Sequence, residues 1–228
     1  MTGTAPEGDD RFDAVVLAGG RASRLGGVPK PTVVVDGATL LDHALAAAGD
    51  AVRTVVVGPE PDRPSGTREV LRTREDPPFG GPVAGLDAGL RALARDARPG
   101  PPAPWVLVLA VDVPRARDAV PRLRRAIAQD AARDGAHLVR AGRAQWLVGL
   151  YRHEALRDAL DALDALAGPD GLHGEPVRRL VSRLACAEVD DPDGVSADVD
   201  TWDDVRRLTV GDHDDVTPRD TKSLGRNL

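Results

Sequence analysis

The sequence predicts an α/β protein, on three observations. Short apolar runs alternate with stretches of helical spacing along most of the chain. The run Ala14 to Leu17 is continuous and apolar, as expected of a central parallel strand buried on both faces. It breaks at once into a glycine-rich, basic loop that extends through Lys30-Pro31, at the carboxyl end of the strand, the edge where open α/β sheets take their ligands.

Glycines at positions 19, 20, 26 and 27 let successive backbone N–H groups turn into one concavity and bind an anion. Arg21, Arg24 and Lys30 add positive charge, the arginines as forks for phosphate oxygens and the lysine as a mobile point charge. The loop therefore suits a polyphosphate. It lacks the Gly-Lys-Ser/Thr ending of a Walker loop and the G-x-G-x-x-G spacing of a dinucleotide fingerprint. Leu17, Ala18, Gly19, Gly20, Arg24, Gly26 and Lys30 instead fall on L-A-G-G-x-x-x-R-x-G-x-x-K, and in this the chain resembles the nucleotidyltransferases, most closely the molybdenum cofactor guanylyltransferase (MobA-like) family.

Composition sets the bounds. With 228 residues and a net charge of −6, the chain can bury a full core and lacks the basic surface that a nucleic-acid partner requires. The single cysteine, Cys186, forms no internal disulfide. No apolar run reaches membrane-spanning length and the first ten residues carry no signal-peptide pattern, so the expectation is a cytoplasmic protein without a membrane partner. One domain over 12–209 is expected, between mobile tails at 1–11 and 210–228.

After the loop, Thr32 to Val35 is a second apolar run, closed by the turn pair Asp36-Gly37. A helix follows from Leu40 with Thr39 as its N-cap, and its His43 reads as a packing or surface residue. Thr54 to Val57 is the next strand, and Arg68 to Thr73 a weaker one. The stretch Asp76 to Leu86 then carries Gly80, Gly81 and Pro82 into a helix at Asp87 to Arg95. Trp105 to Ala110 is a buried strand ending in Val111-Asp112-Val113-Pro114, which places the Asp112 carboxylate at the same edge as the first loop. A helix over Ala119 to Gln129, strands over Ala136 to Val139 and Arg143 to Tyr151, and a helix over Glu154 to Leu166 come next. The loop from Gly168 to Glu175, with His173 as an acceptor-contact candidate, leads to a short helix over Pro176 to Leu184 and a strand over Cys186 to Val189. A final helix is capped by Asp200 or Thr201.

The resemblance implies a single three-layer α/β/α Rossmann-like fold with a mostly parallel sheet. It implies that Leu17, Ala18, Gly19, Gly20 and Lys30, with Gly81, Pro82, Ala84 and Gly85 of the segment matching G-P-x-A-G-[LM], bind the nucleotide, and that Arg24 and Lys30 are catalytic. Asp112 falls on the family's metal-binding D-x-P. Asp198 and Asp200 stand where the family has asparagines; either completes a Mg²⁺ site with Asp112 or serves the closing helix as a cap. Gln145 and Trp146, in place of the usual Q-P or H-P, face the acceptor by this resemblance, Trp146 either stacking on a pterin or filling the core. The implied reaction is guanylyl transfer from GTP to the phosphate of molybdopterin by a monomer or weak homo-oligomer. Two alternatives stand beside it. One is a transferase for a sugar or alcohol phosphate or one using CTP, encouraged by Pro29-Lys30-Pro31; the other is a nucleotide-binding protein without turnover.

Overall fold

The computed structural model describes residues 9–19, 25–59, 69–98, 100–168 and 170–210. Of the expected tails at 1–11 and 210–228, residues 1–8 and 211–228 lie outside the described residues, as do the site candidates Gly20, Arg21 and Arg24.

The chain runs β1 (Phe12–Leu17), β2 (Val34–Val35), β3 (Ala38–Thr39), α1 (Leu40–Ala47), β4 (Thr54–Val57), β5 (Leu71–Thr73), α2 (Gly81–Arg95) and β6 (Trp105–Ala110). It continues through α3 (Ala116–Gln129), β7 (Gly135–Arg140), β8 (Arg143–Arg152), α4 (His153–Leu166), α5 (Val177–Val181), β9 (Cys186–Asp190) and α6 (Trp202–Val210). Seven strands form one sheet in the order β5-β4-β1-β6-β8-β7-β9. β1 is central and pairs parallel with β4 and β6, while β8 runs antiparallel to both of its neighbours. The expected mostly parallel α/β sheet is therefore present.

Period-two alternation divides the core between the two faces of the sheet. Ala14 of β1 packs with the inward residues of α3, among them Ala119, Leu123 and Ile127. Val15 and Leu17 face the other way, onto α2, α4 and α5 through Leu86, Leu90, Leu160 and Leu180. The result is three layers. α2 lies unusually close to the sheet because Gly89 has no side chain: a Cβ there would stand 2.7 Å from Val15 Cγ1.

Several boundaries differ from the sequence reading, for local reasons. The apolar run after the first loop does not join the main sheet; Lys30–Thr32 forms a 3-10 turn and Val34–Val35 pairs with Ala38–Thr39 as a separate ribbon. Its connection, Asp36-Gly37, has positive φ at both residues, the requirement of a tight two-residue hairpin. α2 begins at Gly81 rather than Asp87, with Pro82 in its first turn, where a missing N–H is harmless. α3 starts three residues early, and the short helix shrinks to Val177–Val181. Thr39 caps α1 as expected, completing a reciprocal box with Asp42, and His43 bonds the Val35 carbonyl through Nε2 at 2.8 Å. The closing helix α6 takes Thr201 as its cap: the Asp204 amide donates to Thr201 Oγ1, and the Thr201 amide donates back to the Asp204 carboxylate at 2.8 Å.

Candidate active site

The carboxyl ends of β1, β4 and β6 are laced together by backbone bonds. Ala18 donates to Val57 O at 2.7 Å, Val111 to Leu17 O at 3.0 Å and Gly58 to Thr73 O at 3.0 Å. Gly58 holds φ at 150°, and a Cβ there would sit 2.8 Å from the Ala18 carbonyl carbon and 3.0 Å from the Gly19 nitrogen. The first loop can leave β1 on this path only because position 58 is bare.

Lys30 returns to this edge on its 3-10 turn and places Nζ between two carboxylates. It donates to Asp112 Oδ2 at 2.7 Å and to Asp200 Oδ1 at 2.6 Å. Burial pulls the Lys30 ammonium toward neutrality, but the hydrogen bonds it donates to Asp112 and Asp200, with their charges, outweigh that and leave its pKa raised. The strand end and the Asp198 to Asp200 segment are further joined by Val199 N donating to Asp112 O at 2.8 Å. Of the two unusual aspartates, Asp200 meets Lys30, whereas Asp198 accepts from Arg140 at 3.2 Å. Among the described residues, no group of three or more His, Cys, Asp or Glu side chains gathers as a metal cage.

Two cavities open at this edge, and Asp112 lines both. The first, about 390 Å³, is bounded by the nucleotide-site candidates Leu17, Gly19, Gly81, Pro82 and Gly85, and also by Val57, Glu75 and Phe79. The second, about 410 Å³, is bounded by Gln145 and Trp146 together with Arg178, Ser196 and Asp198. Ala110 and Leu147 complete the shared wall. Trp146 is half-buried and packs against the core under α2 and α4 while also lining the second cavity. Ala18 is buried, and Ala84 faces a neighbouring polar cleft instead of the first cavity.

A break in strand register builds the shared wall. Pairing of β7 with β8 jumps from His137–Gly149 to Leu138–Gln145, leaving Trp146, Leu147 and Val148 opposite no β7 residue. Such a bulge re-aims side chains, here into the space between the cavities. His173, expected near the acceptor, lies elsewhere: Gly174 N donates to Gly80 O at 2.8 Å, and a Cβ on Gly80 would be 3.2 Å from His173 Nδ1. Its loop thus braces the start of α2. Sequence reading also passed over Gly58, Glu75, Phe79, Leu147 and Arg178; Gly58 alone carried a signal, as a glycine ending a buried strand.

A site with Lys30 between two carboxylates, flanked by two cavities with Gly19 on the wall of the first, can bring two anionic ligands together and screen their repulsion. Comparison with known proteins agrees. The family model described as the MobA-like NTP transferase domain matches residues 14–187. The molybdenum cofactor guanylyltransferase of Acidiphilium cryptum is 34% identical over 182 residues, 78% of this chain and 86% of that protein. That of Methylibium petroleiphilum is 30% identical over 213 residues, 88% of this chain and 97% of that protein. The crystal structure of molybdopterin-guanine dinucleotide biosynthesis protein A from Archaeoglobus fulgidus superposes with a TM-score of 0.61 at 20% identity, over 86% of this chain and 96% of that one. A 2-C-methyl-D-erythritol 4-phosphate cytidylyltransferase from Francisella tularensis also has a TM-score of 0.61, at 16% identity over 86% and 97% of the two chains, a likeness of fold alone. Among the described residues no helix is long and apolar enough to cross a membrane. The chain belongs to the MobA-like NTP transferase family, and it is a nucleotidyltransferase.

Proposed function

We propose that the chain transfers GMP from GTP to the phosphate of molybdopterin and releases pyrophosphate, with Mg²⁺ bound. The observation that carries this reading is the meeting of two cavities at the Lys30–Asp112 pair. GTP takes the first cavity, its phosphates on the amides of Gly19 and Gly20 and its base beside Gly81, Pro82 and Gly85. The pterin takes the second, against Gln145 and Trp146. An oxygen of the acceptor phosphate bonds to the α-phosphorus of GTP as the bond to the β-phosphate oxygen breaks, and the leaving pyrophosphate carries away the charge of that bond. No protein nucleophile is needed. Lys30 screens charge on the reacting phosphates, joined in this reading by Arg24.

The residues fit a magnesium ion. Asp112 and Asp200 present hard carboxylate oxygens around a shared cation, and Mg²⁺ is commonly held by one or two carboxylates, with substrate phosphates and water completing its shell. When bound, the ion supplies charge neutralisation at the triphosphate. In this reading the protein is cytoplasmic, acts as a monomer or weak homo-oligomer, and binds no nucleic acid.

The test is pyrophosphate release with each of the four nucleoside triphosphates, with and without molybdopterin. Release only with GTP and molybdopterin together is expected. Preference for CTP, or turnover with a sugar phosphate in place of molybdopterin, overturns the assignment.

A further inference from the structure

Phe79 is anomalous as a structural residue. The chain has two phenylalanines; Phe12 is 2% exposed, and Phe79 is 56% exposed. Its φ is +66°, in the left-handed region that a bulky side chain rarely enters. The geometry is held from both sides: Phe79 N donates to Glu75 Oε1 at 3.0 Å, and the Arg74 guanidinium lies 5.5 Å from the ring centroid. Together these fix an aromatic ring and a carboxylate on the wall of the first cavity, beside the apolar side chains of Leu17, Val57 and Pro82 and with the Asp112 carboxylate also on that wall.

We infer that Phe79 and Glu75 recognise the base of the donor nucleotide, Phe79 as a stacking platform and Glu75 as the reader of a guanine edge. The inference rests on the reading of GTP as donor. A flat aromatic base stacks on an aromatic ring whatever its edge carries. The edge is where bases differ. Guanine presents N1–H and the 2-amino group side by side as donors, and a carboxylate is an acceptor-only group able to take both. Adenine turns an unprotonated N1 toward the same place, which sets two acceptors face to face. Inosine keeps N1–H and lacks the amino group. Glu75 spends one lone pair of Oε1 on the Phe79 amide, so the residue that orders the platform is also the one that reads the edge.

A pterin carries the same edge as guanine, so donor and acceptor must be told apart by experiment. Binding of GTP, ITP and ATP is measured by calorimetry with Mg²⁺ and without molybdopterin, on the wild type and on Glu75→Gln, Phe79→Ala and Phe79→Trp, with CTP measured on the wild type beside them. The wild type is expected to bind in the order GTP, ITP, ATP. Glu75→Gln, which keeps an acceptor for the Phe79 amide, is expected to lose about 10- to 100-fold of the preference for GTP over ATP, the usual worth of hydrogen bonds to a charged group. Phe79→Ala should weaken all three by about 10-fold or more with their ratios unchanged, and Phe79→Trp should restore them. Unchanged nucleotide ratios in Glu75→Gln overturn the role of Glu75, and unchanged affinities in Phe79→Ala overturn that of Phe79. Displacement of GTP by 6-hydroxymethylpterin from the wild type would assign this rim to the acceptor and overturn both. A wild type that prefers CTP instead sinks the guanylyl reading itself, a result visible before any variant is made.

Discussion

Lys30 and Asp200 lie 170 residues apart in sequence and meet at 2.6 Å, while the same Lys30 ammonium donates to Asp112 at 2.7 Å. The contact with Asp200 joins the 3-10 turn of Lys30–Thr32 to the irregular segment that precedes α6. Lys30→Ala is expected to lower turnover by about 10²-fold or more with little change in unfolding temperature, because its charge acts on reacting phosphates more than on the fold. Pyrophosphate release and a thermal melt check the two halves of that statement.

The same contact separates the roles of the carboxylates. Asp112→Asn should abolish turnover at every magnesium concentration. Asp200→Asn should shift the magnesium dependence upward without abolishing turnover, since an amide oxygen still coordinates with less charge. A magnesium curve identical to wild type would leave Asp200 as a partner of Lys30 alone.

Gly58→Ala should weaken GTP binding more than it weakens the fold. The new methyl presses on the Ala18 carbonyl and the Gly19 amide, at the point where the phosphate loop leaves β1. The expected result is a rise of about 10-fold in the GTP dissociation constant, with the enzyme still folded by circular dichroism.

At the opposite end of the sheet, Asp13 and Arg53 form a buried pair at 2.7 Å, and Asp13 also accepts from the Arg53 and Ala103 amides. Asp13→Ala leaves the guanidinium buried without its partner and should cost about 3–5 kcal/mol in urea unfolding. Turnover of the folded fraction should be unchanged, because the pair is remote from Lys30 and Asp112.

Cys186 gives a pH signature. Burial pushes its thiol up from 9.0 to about 12, with the nearby Asp134 charge acting in the same direction. The folded chain therefore keeps this proton where the unfolded chain has lost it. The linked stability is present in full below pH 9.0 and is lost as pH rises toward about 12. Urea titrations of the wild type and Cys186→Ala across that window should diverge in this sense, and the native thiol should react slowly with a disulfide reagent at pH 8.

Strands buried on both faces, such as Thr54 to Val57 and Trp105 to Ala110, were legible to the residue, because a continuous apolar run has few other uses. Asp112 was legible for the same reason: it ends one of them. The ribbon of β2 and β3 was not, since Val33 to Val35 has the composition of a sheet strand and only tertiary pairing decides otherwise. The register break at Trp146 to Val148 leaves no mark in the residue pattern, and it creates the wall between the cavities. Glu75 and Phe79 lie in a proline-rich turn that composition marks as a loop and nothing more. The pairing of Asp200 rather than Asp198 with Lys30 depends on side-chain direction in an irregular segment, where no periodicity applies.

The shared wall also divides the gene. Every residue lining the first cavity except Leu147 comes from position 112 or before, and every residue lining the second comes from position 110 or after. With the two cavities assigned as proposed, donor and acceptor specificity would be written in consecutive stretches of the message, with the end of β6 as their common boundary. A single crossover between two family members near Val113-Pro114 would exchange one substrate preference as a block and leave the other intact. Leu147 from beyond the join, Ala110 and Asp112 from before it, and the Lys30–Asp200 contact that spans it would then have to be matched across it.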